Sequence, residues 1–141
     1  MIREMKTEDI SGVLEIEQTL PGRQWSSRAF EESLQQSYTF FYVAEEPDHR
    51  IAGYCCAERL YEEAEIVNVA VRPELRRKKI GEDLLRHTIA CEREAGTQRI
   101  VLEVRKSNIA AIRMYEKAGF SQIGIRSNFY EFPTEDAVSC S

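Results

Sequence analysis

The sequence predicts a mixed α/β sheet with helices on both faces, its elements following the order βααβββαβαββ. Three observations carry this. Short runs rich in aromatic and β-branched residues are separated by turn residues, and apolar residues recur at helical spacing between some of them. The stretch from Ile66 to Phe120 also reads strand, basic turn, helix, strand, helix, which topology rules fold as a right-handed parallel crossover.

Met1 to Met5 reads as a first strand. Thr7 is an N-cap candidate, with Glu8 and Asp9 behind it and Ile10, Val13 and Leu14 on one face of a helix that ends near Thr19, before the Pro21-Gly22 break. Ser26 or Ser27 can cap a second helix reaching about Gln36. Tyr38–Glu45 is a strand, Pro47-Asp48 a hairpin turn, and Ile51 to Leu60 the third strand. Glu65 to Val71 is nearly continuous in apolar residues, which suits a sheet centre covered on both faces. The third helix runs from about Ile80 to Ala95, with Ile80, Leu84, Thr88, Cys91 and Ala95 as its stripe and Gly96 as a left-handed stop. Arg99 to Val104 is strand five, Asn108 to Ala118 a helix closed by Gly119, and Phe120 to Ile125 and Ala137 to Cys140 are short last strands.

A chain of 141 residues, 43% of them apolar, is expected to form one globular domain over residues 1–141. The formal charge of −5, from 24 acidic and 19 basic residues, argues against a general nucleic-acid binder, whose affinity needs a broad basic face. The N-terminus lacks the apolar core of a secretory signal and no apolar run approaches the length of a membrane span, so a cytoplasmic address is expected. Cys55, Cys56, Cys91 and Cys140 show no C-x-x-C spacing, so no metal site is expected and the thiols read as small core residues or free thiols.

The basic cluster is local. Arg76, Arg77, Lys78 and Lys79 crowd the start of the third helix, where the helix dipole repels cations and unpaired backbone N–H groups point outward. A bound polyanion would remove that conflict, and Gly81 permits close approach of the backbone. The competing account is a solvated basic turn.

The order R-R-K-K-I-G after an apolar strand, followed by L-E-V-R-x-S-N-x-x-A-I-x-x-Y-E-x-x-G-F, resembles the GNAT superfamily of acetyl-CoA-dependent N-acetyltransferases. Within it the match is to the bacterial ribosomal-protein alanine N-acetyltransferases, with softer similarity around Trp25-Ser26, Asn128-Phe129-Tyr130 and Glu135-Asp136-Ala137. The resemblance implies that family's mostly antiparallel central sheet, in which strands four and five splay apart around the pantetheine arm of acetyl-CoA. It implies that Val69, Ala70 and Val71 lie along that arm, the backbone of Val69 and Val71 pairing with it, and that Asn108 lies near it. The family's coenzyme A loop, Q/R-x-x-G-x-G/A, falls on Arg76, Arg77, Lys78, Lys79, Ile80 and Gly81, with Glu82 an acid just beyond. Lys79 stands where the family has its first glycine. Such a lysine adopts helical dihedrals at no steric cost where the position does not require positive φ, and its ammonium adds attraction for phosphate. The implied acceptor is a protein N-terminus, by resemblance that of a ribosomal protein, with no nucleic acid or membrane as partner.

Acetyl transfer to an amine needs a neutral nucleophile and a proton for the leaving thiolate. An α-amino group titrates at about 7.7–8.0 and a lysine at about 10.4, so one modest carboxylate suits an N-terminal amine better than a lysine. Glu103, between Leu102 and Val104, points by alternation to the opposite face from both and is the candidate general base; a solvated strand glutamate is the alternative. Tyr115 is the candidate general acid, since a phenol titrating near ~10 is protonated at neutral pH. Its alternative is a buried aromatic on a helix face with Ala111 and Ala118. Trp25 and Tyr130 are candidate walls for the acceptor, or simple packing. His87 and Cys91, four apart on a helix, could form a thiol–imidazole pair without a third orienting group. His49 reads as exposed, and Glu62, Glu63 and Glu65 as a solvated hairpin end or an attraction for a basic peptide.

Overall fold

The computed structural model of the chain describes residues 1–20, 22 and 24–141. Its elements are β1 (Ile2–Glu4), α1 (Ile10–Glu17), α2 (Ser27–Leu34), β2 (Thr39–Glu45), β3 (Ile51–Leu60), β4 (Glu63–Val71), α3 (Ile80–Glu94), β5 (Arg99–Arg105), α4 (Ile109–Lys117), β6 (Gln122–Tyr130) and β7 (Glu135–Cys140). The order is the expected one. The strands form one seven-stranded sheet, β1-β2-β3-β4-β5-β7-β6, in which the β4–β5 ladder is parallel and the others antiparallel.

Strand alternation sends side chains to two cores. Phe41 and Val43 pack with Val13 and Ile16 of α1 and Phe30 of α2, while Tyr42 and Ala44 pack on the other face with Leu84 and Leu85 of α3 and Ile112 of α4. Gly53 is obligatory at the β3–β4 contact, because a Cβ there would lie 2.6 Å from the Ala70 carbonyl oxygen. Cys55, Cys56 and Cys140 are buried among these side chains and Cys91 is half-buried, all as free thiols.

Several boundaries move from their predicted places, for identifiable reasons. The chain enters α1 through a 3₁₀ turn over Thr7–Asp9, so Thr7 does not cap it. Asp9 stands at the N-cap of α1 without a side-chain cap there; its carboxylate turns back to accept the Lys6 N–H at 2.8 Å, closing the 3₁₀ turn, and a two-pronged Arg3 contact at 2.8 and 2.9 Å. Ser26 caps α2 by accepting the Ala29 N–H at 3.1 Å. The expected break at Pro21-Gly22 falls partly outside the described residues, since Pro21 is not among them. The last hairpin is longer than predicted, β6 reaching Tyr130 and β7 starting at Glu135. Almost every residue of β6 is exposed, so no burial alternation marked its end. In α3 the buried positions include Glu92, whose carboxylate is fully buried and held by Arg59 at 2.7 and 3.1 Å and by Thr97 at 2.9 Å. Among the described residues no helix is long and apolar enough to cross a membrane.

Candidate active site

The β4–β5 ladder pairs Glu63 with Arg99 through Ile66 with Leu102 and then stops. Beyond it β4 keeps its pairing to β3 as far as Val71, and β5 keeps its pairing to β7 as far as Arg105, so the two facing edges part. Val67, Asn68 and Val69 are consequently half-buried rather than covered on both faces, which corrects the expectation for this strand. A cleft of about 550 Å³ opens at the fork. Glu103, Tyr115, Val69, Asn108, Trp25 and Tyr130 all line it. Ala70, Val71 and the segment from Arg76 to Glu82 do not; Ala70 is in the core, and the basic turn stands at the next corner. The two are nevertheless adjacent, because the Cβ position of Gly81 lies 3.5 Å from Val71 and 3.8 Å from Val69.

Glu103 faces Ser139 across the β5–β7 register, and the Ser139 hydroxyl donates a short hydrogen bond to Oε2. Arg126 Nε stands 3.5 Å from Oε1. The carboxylate is thus oriented by two partners on the last hairpin, neither of which sequence pattern picked out, because both contacts depend on non-local register. Tyr115 lies against Phe120, ring centroids 6.0 Å apart, at the border of the core and the cleft. Burial, with the Cys55 thiol next, pushes its phenol well above the usual tyrosine range, so it holds its proton at neutral pH. Asn108 is the N-cap of α4, accepting the Ala111 N–H at 3.1 Å.

On the other wall, Trp25 packs on Phe30 and Phe41 at 5.1 and 6.0 Å, and its backbone N–H donates to Glu17 at 2.8 Å. Tyr130 lies under the Arg105 guanidinium, 4.6 Å from the ring. Burial, with the Glu103 charge adding to it and Arg105 opposing, pushes the Tyr130 hydroxyl up to about 12. Cys91 Sγ does meet His87 Nε2 at 3.5 Å, with the Tyr42 ring 4.8 Å from the imidazole, but neither residue of the pair lines the cleft. His49 is exposed, as expected. Burial, then the charges of Glu58 and Glu103, push the Glu65 carboxyl up.

At the basic turn the structure corrects one expectation outright. Lys79 does not adopt helical dihedrals: φ is 63° and ψ 16°, the left-handed region that favours glycine, and Arg77 is left-handed as well at 70°. Such turns make anion-binding concavities of successive backbone N–H groups. No side chain caps the N-terminus of α3. None of Arg76, Arg77, Lys78 and Lys79 forms a salt bridge among the described residues. Glu82 offers no opposing charge, since Arg86 at 3.0 Å and Lys117 at 3.3 Å take its carboxylate. Burial alone would raise its titration point, and the Lys117 contact turns the net shift downward. The corner therefore fits a diphosphate: N–H groups that no side chain caps, four cations in no salt bridge among the described residues, and a first-turn Glu82 whose carboxylate is paired with Arg86 and Lys117, beside a second first-turn acid, Asp83.

A family model for the acetyltransferase (GNAT) family matches residues 10–120. The chain belongs to the GNAT family. It is therefore an N-acetyltransferase by class, on a mixed sheet that relatives share. The ribosomal protein bS18-alanine N-acetyltransferase of Escherichia coli K12 is 33% identical over 135 residues, covering 96% of this chain and 88% of that protein. The Salmonella typhimurium protein of the same description is 34% identical over 138 residues, with 95% and 90% covered. The crystal structure of the ribosomal-protein-S18-alanine N-acetyltransferase from Escherichia coli superposes with a TM-score of 0.88 at 31% identity, over 99% of this chain and 90% of that one. Ard1 from Thermoplasma volcanium superposes at 0.87 with 26% identity, over 99% and 94%.

Proposed function

We propose that this GNAT protein transfers an acetyl group from acetyl-CoA to the α-amino group of an alanine-initiated chain, a ribosomal protein, in the cytoplasm, with residues 1–141 acting as one domain. The observation that carries the reading is that Glu103 and Tyr115 line one cleft at the β4–β5 fork, beside a corner suited to a diphosphate. Relatives at 33% and 34% identity named for acetylating the alanine of bS18 support the acceptor class.

Arg76, Arg77, Lys78, Lys79, Ile80, Gly81 and Glu82 would hold the diphosphate, largely through backbone N–H groups, with Val69, Ala70, Val71 and Asn108 along the pantetheine. Bound there, acetyl-CoA supplies an acyl group activated as a thioester. Glu103, fixed by Ser139 and Arg126, takes a proton from the incoming ammonium or amine, which at neutral pH is mostly charged given its pKa of about 7.7–8.0. Tyr115 keeps a proton at its hydroxyl, available to a leaving group in the cleft, because burial disfavours the phenolate. Trp25 and Tyr130 form the opposite walls and would flank the acceptor's first residues.

Thermal unfolding with acetyl-CoA at 100 times its dissociation constant is expected to show a gain of about 2.7 kcal/mol. Thiol release is then compared between an alanine-initiated peptide and spermidine. Preference for the peptide supports the reading, preference for spermidine replaces it with a small-amine acetyltransferase, and the absence of any thermal shift would leave a partner-binding module instead.

A further inference from the structure

One buried polar chain is not used by the chemistry above. Glu17, the last residue of α1, is only 3% exposed although it ends a helix beside the cleft. Its Oε1 accepts the Tyr54 hydroxyl at 2.6 Å and its Oε2 accepts the Trp25 backbone N–H at 2.8 Å. The Tyr54 oxygen in turn accepts from Asn68 Nδ2 at 2.8 Å. Asn68 sits on β4 immediately before Val69, just past the point where the β4–β5 ladder ends. A hydrogen-bonded path thus runs from the strand that forms the donor side of the cleft, through the core face of β3, to the α1–α2 connection that forms its acceptor side. Glu17, Asn68 and Trp25 all line the cleft.

A carboxylate is costly to bury unless donors satisfy both oxygens, and here each oxygen has one. A two-residue packing purpose would be met by an apolar side chain, as it is by the neighbouring Ile16. What the carboxylate adds is a fixed acceptor for the Trp25 backbone N–H in the connection between α1 and α2. Burial, and then the Glu17 charge, hold the Tyr54 hydroxyl protonated, which keeps it a donor to Glu17.

We propose that Glu17 is a positioning residue for acceptor binding: it pins the α1–α2 connection at Trp25 to the β4 side of the cleft and so holds the acceptor wall in its binding position. The assignment rests on the reading of Trp25 as part of the acceptor wall. Glu17→Gln keeps the shape but turns one acceptor into a donor, and the Trp25 N–H and Tyr54 O–H can no longer both be satisfied. Loosening of the wall is expected to raise the KM for an alanine-initiated peptide by about tenfold, with kcat and the acetyl-CoA-induced thermal shift retained. The chain's one tryptophan is Trp25, so its fluorescence reports the same event as increased acrylamide quenching. Unchanged peptide KM together with unchanged quenching would overturn the proposal. Amide hydrogen exchange at Trp25 in the unaltered protein reads the tether without any variant or acceptor. Protection there is expected, and exchange at the free-peptide rate would overturn the proposal by itself. A wild-type protein that acetylates no alanine peptide would refute the acceptor reading, and the quenching and exchange measurements would still decide the tether.

Discussion

Lys79 is the sharpest local conflict in the chain, and Lys79→Gly measures it. A side chain at φ 63° and ψ 16° sits in the left-handed region at a cost of about 1–2 kcal/mol relative to glycine. Glycine gives back about 0.4–1 kcal/mol through the greater freedom of its unfolded chain. The balance against Lys79→Ala, which keeps the strain and also loses the charge, is about 1 kcal/mol in favour of glycine. For a domain of this size that is roughly 3–5 °C in melting temperature, well within reach of calorimetry on the two variants side by side. Because the strain is present with and without ligand, both variants should weaken acetyl-CoA binding alike, through loss of one ammonium, and both losses should shrink in high salt. Lys79→Ala melting at or above Lys79→Gly would refute the left-handed turn and the argument built on it.

Glu92→Ala should cost about 3 kcal/mol in urea unfolding, since it strands a part-buried Arg59 that now holds a fully buried carboxylate at 2.7 Å. The combined Arg59→Ala, Glu92→Ala variant should lose clearly less than the two single losses together. The Arg3 hydrogen bonds outweigh burial and hold the Asp9 carboxyl below its ordinary value. Its contribution, about 1 kcal/mol, is complete above the unfolded value near ~3.9 and is lost as pH falls through the lowered folded one. Asp9→Asn should therefore destabilise at pH 7, the gap to wild type closing below about pH 4 in acid titrations of unfolding. Ser139→Ala removes the hydroxyl that orients Glu103 and should lower kcat about tenfold at nearly constant peptide KM, measured by thiol release.

The element order was legible from local rules, alternation along a strand, helical spacing and the crossover that sets β5 beside β4, while Glu103 and Tyr115 were drawn to one place only by the family resemblance. The GNAT resemblance supplied the fork, and the end of the ladder at Ile66 and Leu102 is where it falls. What stayed illegible was set by long-range register or by dihedral demand. Ser139 and Arg126 reach Glu103 only through the β5–β7–β6 pairing. Glu17 and Glu92 look like solvated helix positions until Tyr54 and Arg59 are brought to them from β3. Nothing in the residue type of Lys79 announces a positive φ; the glycine that the family has at that position is the available signal, and the position does require positive φ with lysine in place.

The central claim is that Glu103 deprotonates the acceptor amine in the cleft. Its most direct test is the pH–rate profile of Glu103→Gln with an alanine-initiated peptide and saturating acetyl-CoA. A fall of about 10²-fold or more at neutral pH is expected, with the rate climbing through the amine's own titration near ~8 as neutral nucleophile becomes available without help. A variant with the wild-type rate and the wild-type profile would contradict the account.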